Sequence, residues 1–130
     1  MIIRPPIRGQ DNHGAGFYHA SRGDRLHNGV DLSCPAGSEL LCPIHGKITK
    51  LGYPYADHME YRYIQVTMDD LDHRFFYVQP NPDLALGDIV RPMDVLGVVQ
   101  DLTLIYEGIT NHVHYEIKQG GDHINPMEFL

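Results

Sequence analysis

Apolar and polar positions alternate along most of the chain, in short runs that glycine and proline interrupt roughly every 8–12 residues, the rhythm of an all-β sandwich or barrel. The clearest alternation is His112-Val113-His114-Tyr115-Glu116-Ile117. As a strand it sends Val113, Tyr115 and Ile117 to one face and His112, His114 and Glu116 to the other. The apolar set faces a core. The polar set lines a surface or a cleft, with its two imidazoles roughly 6–7 Å apart along the strand.

The remaining elements follow the same rule. Val30 and Leu32 alternate with Asp31 and Ser33 from Gly29 onward. Residues 32–35, a turn at Pro35-Ala36-Gly37-Ser38 and the return through Leu40-Leu41-Cys42 read as a hairpin. His45-Gly46 marks a turn or bulge before a strand over 47–52, and 53–61 is a polar, aromatic loop. Residues 63–68 alternate, 69–72 turn, and 74–79 return until Pro80-Asn81-Pro82 ends the strand. Ile89-Val90 and residues 95–99 supply further strands, and 100–111 form a longer loop. Upstream, Pro5-Pro6, Gly9, Gly14, Gly16 and Gly23 leave no room for a long helix, so 1–26 read as an ordered N-terminal arm. The expectation is an all-β, antiparallel, sandwich-like barrel.

Composition narrows the function. A chain of 130 residues suits one domain, 1–130, around a single core. With 42% hydrophobic and 21% charged residues it is globular in character. The net charge of −7 argues against nucleic acid or an anionic membrane surface as the main partner. No apolar run approaches the ~20 residues of a membrane span. Residues 1–6 lack the apolar region of a secretory leader, so none is expected. Cys34 and Cys42, on the two arms of the expected hairpin, would not face each other and read as reduced and buried. Nine histidines raise the expectation of a metal site without placing it.

Two stretches carry candidate chemistry. In His112-x-His114 one imidazole can bind a metal while the other stands within reach of its water; alone, the pattern is more often a half-buried strand that happens to carry two histidines. His27 and Asp31 would lie about 13 Å apart in an extended strand. Asn28-Gly29 supplies a bend that can fold His27 back toward Asp31. Otherwise this is a turn into an edge strand with two solvated polar residues. His13 and His19, in the arm, read as solvated loop histidines.

In order along the chain stand His27-x-x-x-Asp31, Pro-Ala-Gly-Ser at 35–38, a hairpin ending in Tyr77-x-x, Leu86-Gly87-Asp88, Leu96-Gly97, His112-x-His114-Tyr-Glu and Asn125-Pro126. This order resembles the LytM/lysostaphin-like zinc metallopeptidases, which cut peptidoglycan, over residues 13 to 130. The resemblance implies that His27, Asp31 and His114 hold one zinc ion, in a groove, with His112 as catalytic base. It implies peptide bonds of bacterial cell-wall peptidoglycan as substrate. It also exposes a departure. The family's Tyr-x-His is Tyr77-Val78-Gln79 here, and glutamine cannot carry a proton, though its amide can donate to an oxyanion. Gln79 is therefore the expected second catalytic group, with His58 in a loop and His73 at the hairpin turn as alternatives. Glu116 is either a support for the metal ligands or a neutral surface group. Tyr77 and Tyr106 are groove walls or core, and Tyr115 is core. Residues 11–16, 22–31 and 106–114 are also similar to the leukocyte chemotaxin branch of this family, which acts as a signalling ligand. The alternative reading is thus a zinc-containing, catalytically inactive binding module. The chemotaxin pattern of disulfides is missing, which favours a short bacterial or phage form.

Overall fold

The alternation closes into two antiparallel sheets. The computed structural model describes residues 7–9, 14–21 and 26–130. In chain order the strands are β1 (Val30–Ser33), β2 (Glu39–Leu41), β3 (Gly46–Gly52), β4 (Tyr63–Met68), β5 (Leu71–Phe76), β6 (Val78–Pro80), β7 (Ile89–Val90), β8 (Val95–Val99), β9 (His112–Gln119) and β10 (Asp122–Ile124). The larger sheet runs β1-β9-β5-β4-β3-β7, with β10 also paired to β9. The smaller runs β2-β8-β6. No helix among the described residues is long and apolar enough to cross a membrane.

The core lies between the sheets. Val113, Tyr115 and Ile117 of β9 are fully buried there, as the alternation requires, beside Phe75 of β5 and Ile64 and Val66 of β4. The smaller sheet contributes Leu40, Val78, Leu96 and Val99. Tyr115 and Phe75 stack with centroids 4.6 Å apart, an arrangement worth about 0.5–1.5 kcal/mol beyond the area it buries. The opposite face of β9 is not open to solvent either, since His112 and Glu116 are buried. Arg8, from the described part of the N-terminal arm, reaches the strand beside it.

Three expected elements differ. The hairpin over 32–42 does not form: β1 pairs with β9 and β2 with β8, so the turn at 35–38 carries the chain from one sheet to the other. Cys34 and Cys42 are nevertheless free and buried. The strand over 74–79 is broken at Tyr77, whose φ of 71° turns the chain out of the larger sheet, so β6 belongs to the smaller one. The β4–β5 turn is only Asp69-Asp70, with Asp69 left-handed at φ 56°, a conformation aspartate tolerates. This shorter turn draws His73 into β5, opposite Ile117 and inside the core, and not at the turn.

Candidate metal centre and its cleft

Antiparallel pairing of β1 and β9 sets Asp31 opposite His114 and Ser33 opposite His112. Asp31 and His114 are thus cross-strand neighbours, close enough to interact, and His114 Nδ1 lies 2.8 Å from Asp31 Oδ1. His27 returns to them through the Asn28-Gly29 bend. A Cβ on Gly29 would stand 2.3 Å from the Tyr115 carbonyl oxygen, so only glycine lets the bend press against β9. His27 Nε2 comes to 3.1 Å from His114 Nδ1 and 3.2 Å from Asp31 Oδ1.

The other oxygen of Asp31 is held by the N-terminal arm. Arg8 reaches Asp31 Oδ2 with Nε at 3.1 Å and a terminal nitrogen at 2.8 Å, and its other terminal nitrogen donates to the Gly14 carbonyl at 2.6 Å. The backbone laces the same strip: Arg8 N–H donates to the Asp31 carbonyl, and Asp31 N–H to that of Gly16. Nothing in the sequence singled out Arg8, because a lone arginine in a proline-rich arm carries no motif. Asn111 fixes the other approach. Its side chain accepts from Leu102 N–H and donates to the carbonyls of Cys34 and Gln100, which tethers loop 100–111 where β9 begins.

Carbonyl oxygens only accept, and this settles two ring tautomers. His27 Nδ1 lies 3.0 Å from the Phe17 carbonyl, so Nδ1 is protonated and Nε2 offers its lone pair to the cluster. His112 Nδ1 lies 2.8 Å from the Thr110 carbonyl, so its Nε2 is likewise the free base, 3.6 Å from Asp31 Oδ2. His114 stands between two carboxylates, with Nε2 3.0 Å from Glu116 Oε1. Glu116 Oε2 in turn meets His123 Nε2 at 3.1 Å.

The charges follow. Burial would raise the Asp31 carboxyl, but the hydrogen bond from His114 Nδ1 and the imidazoles gathered around it hold it well below the usual carboxylate range. Burial would lower His114, yet its bonds to Asp31 and Glu116 win and raise it to about 9. Burial also opposes ionisation of Glu116, and the two histidines beside it overcome that and lower its pKa. For His112, burial prevails over the pull of Asp31 and keeps the ring neutral.

His27, Asp31 and His114 therefore present three ligand atoms within 4.8 Å of one another. Their separations of 2.8, 3.1 and 3.2 Å approach the ~3.3 Å edge of a tetrahedron around an ion with bonds of about 2 Å. Two imidazoles and one carboxylate, with a carboxylate behind one imidazole, suit a divalent metal with an open fourth position. Loading it requires the proton on His114 Nδ1 to leave.

The three groups line a cavity of about 400 Å³ together with Tyr55, Phe76, Tyr77, Tyr106 and Ile109. Gln79 is not brought there. It is an exposed residue of β6, paired with Val98, because the left-handed turn at Tyr77 re-aims everything after it. Tyr77 faces His112 instead, edge-on at 5.7 Å. Tyr55 went unread as a site residue, since aromatic loop composition alone carries no address. Of the other histidines, His58 pairs with exposed Glu60, His73 is core, and His19 is exposed and stacked on Tyr18. His13 lies outside the described residues.

The family description that matches residues 25–126 is peptidase family M23. The chain belongs to that family. Leukocyte cell-derived chemotaxin-2 from Bos taurus is 32% identical over 111 residues, which is 85% of this M23 chain and 72% of that protein. Among solved structures, Csd3 of Helicobacter pylori matches with a TM-score of 0.70 at 17% identity, over all of this chain and 35% of that one; the chain thus spans about a third of that protein. The catalytic domain of the antimicrobial peptidase lysostaphin from Staphylococcus simulans matches with a TM-score of 0.66 at 18% identity, over 92% and 90% of the two chains. A zinc-containing peptidase from Vibrio cholerae matches with a TM-score of 0.63 at 19% identity, over 93% of this chain and 37% of that one. These structural likenesses establish the M23 fold. The curated relative adds the chemotaxin branch.

Proposed function

We propose that this M23 chain is a zinc metalloendopeptidase that hydrolyses peptide bonds in bacterial cell-wall peptidoglycan. The observation that carries the reading is the convergence of the His27–Asp31–His114 ligand set with His112, an uncharged imidazole whose free Nε2 faces the same cavity. The donor types favour zinc, as does the zinc-containing neighbour of the same fold. When bound, the ion would supply Lewis acidity toward the scissile carbonyl and acidify a water.

The chain's own residues supply the rest. His27, Asp31 and His114 hold the ion, Arg8 keeps Asp31 presenting Oδ1, and Glu116 keeps His114 presenting Nδ1. The peptide lies in the cleft between the tyrosine walls. As the water oxygen bonds to the carbonyl carbon, His112 Nε2 takes up the water's proton. The imidazolium so formed is stabilised by Asp31 nearby. It returns the proton to the amine nitrogen as the C–N bond breaks, leaving one carboxylate and one amine.

The test is release of new amino groups from purified peptidoglycan by the zinc-loaded protein, abolished by a chelator and restored by added zinc. Two observations favour a second reading, a zinc-containing binding module without activity: Gln79 offers the cavity nothing, and the chain is 32% identical to a chemotaxin. Retention on peptidoglycan with no new amino groups would select that reading.

A further inference from the structure

Tyr77 makes the crossing between the two sheets in a left-handed conformation, φ 71°, which a bulky residue holds only where its surroundings over-determine it. Its phenol is thereby driven into the cavity beside His112. The hydroxyl ends a chain of three. Tyr106 donates to the Tyr55 oxygen at 2.7 Å, and the Tyr55 and Tyr77 oxygens are 2.9 Å apart. Each phenol has a single proton. Tyr106 gives its hydrogen bond to Tyr55, and either hydroxyl can donate across the Tyr55–Tyr77 contact; in the arrangement in which Tyr55 donates, the Tyr77 proton remains to be placed. No acceptor among the described residues takes it. Burial raises the Tyr77 phenol to about 12, so it keeps that proton at neutral pH. Donation from behind polarises an O–H, so the chain makes Tyr77 the better donor.

A cavity built to hydrolyse a peptide needs a donor where negative charge develops. The ligand cluster and His112 supply a metal seat and a base. Gln79, the residue expected to donate, is outside. We propose that Tyr77 donates the hydrogen bond that stabilises the tetrahedral oxyanion of the peptide substrate, with Tyr55 and Tyr106 as positioning residues that aim it. This rests on the peptidase reading above. When the water oxygen bonds to the carbonyl carbon, the π pair of the C=O bond moves onto its oxygen, and the Tyr77 hydroxyl donates to that oxygen without giving up its proton. The pair returns to re-form C=O as the C–N bond breaks and the amine leaves with the proton His112 carried. The ligand class is a tetrahedral acyl oxyanion, and Tyr77 is sensitive to that charge and not to the planar peptide.

The test compares the zinc-loaded 130-residue chain as wild type, Tyr77→Phe and Tyr55→Phe in two readouts. One is hydrolysis of purified peptidoglycan. The other is equilibrium binding of a glycyl phosphinic pseudopeptide, a stable tetrahedral oxyanion, against the matching planar glycyl peptide. Loss of one such donor lowers kcat by about 10²–10³. Tyr77→Phe is expected to show that loss with KM and zinc content unchanged, and to bind the phosphinate at least ~10-fold more weakly with peptide binding unaltered. Tyr55→Phe is expected to show a smaller loss of the same kind. If wild type cleaves and Tyr77→Phe cleaves equally well, the role of Tyr77 is overturned and the peptidase reading stands. If nothing is cleaved yet Tyr77→Phe selectively loses the phosphinate, the donor role stands and the hydrolase reading fails. If wild type neither cleaves nor prefers the phosphinate to the peptide, both are overturned.

Discussion

Asp31 and His114 face each other across neighbouring strands, with Oδ1 and Nδ1 2.8 Å apart. His112, two residues earlier on the same strand, instead turns Nδ1 to its own backbone neighbour Thr110 and leaves Nε2 free. On the proposed reading one strand carries two imidazoles with different jobs, and replacing them should separate those jobs. His114→Ala is expected to lose zinc. His112→Ala is expected to keep it and to lose about 10²–10⁴ in hydrolysis rate, the usual worth of a positioned base. Metal analysis beside a peptidoglycan assay reads both, and equal zinc and equal activity in the two variants would sink the assignment.

Arg8 neutralises a carboxylate that is otherwise buried among histidines. Arg8→Gln should destabilise the metal-free protein by about 3–5 kcal/mol, the usual effect of removing one partner from a buried ion pair. Zinc supplies positive charge to the same carboxylate, so the loss of Tm is expected to be smaller in the zinc-loaded variant. Thermal unfolding with and without zinc checks this, and an equal loss in both forms would count against it.

Glu116 fixes the tautomer of His114 from behind. Glu116→Gln should bind zinc about 10–100-fold more weakly, as such outer partners typically do, with the fold retained. Competition against a chromophoric chelator, alongside circular dichroism, measures it. Unchanged affinity would mean that Asp31 alone orients the ring.

Gln79→His should not rescue or raise activity. The side chain at this position is exposed on β6, away from the cavity, so an imidazole placed there is expected to leave the hydrolysis rate unchanged. A gain in rate would show that the chain beyond Tyr77 can turn inward.

His73 has Nδ1 2.7 Å from the Tyr115 hydroxyl and, among the described residues, no partner for Nε2. Burial lowers its pKa to about 4, against about 6.5 in an unfolded chain. Because the unfolded state binds the proton first, this contribution is fully present above pH 6.5 and is lost as pH falls toward 4, by roughly 3 kcal/mol. His112 adds loss in the same direction, whereas Asp31 and Glu116 act only below the ordinary carboxylate range. Urea unfolding of the zinc-free protein across this window should therefore flatten in a variant combining His73→Phe with Tyr115→Phe. Removing both partners avoids stranding the Tyr115 hydroxyl. The same slope in wild type and variant would rule His73 out as the cause.

The sequence alone determined the β class and the inward face of β9, and it singled out His27, Asp31, His112 and His114, which the fold brings together. Alternation is local, so Val113, Tyr115 and Ile117 could be told from His112, His114 and Glu116 without any knowledge of the partner strands. The bend at Asn28-Gly29 is also local, and it was enough to suggest that His27 turns back toward Asp31. The order of motifs then supplied the family. Only the tertiary structure decided what lies beside these groups. Arg8 meets Asp31 through bonds between segments far apart in the chain, and Tyr55, Tyr77 and Tyr106 meet through three separate loops and strand ends. Gln79 was misplaced for the same reason. A strand read from alternation is assumed to continue, whereas the left-handed turn at Tyr77 transfers the chain to the other sheet, and one such turn changes which side chain faces the cavity.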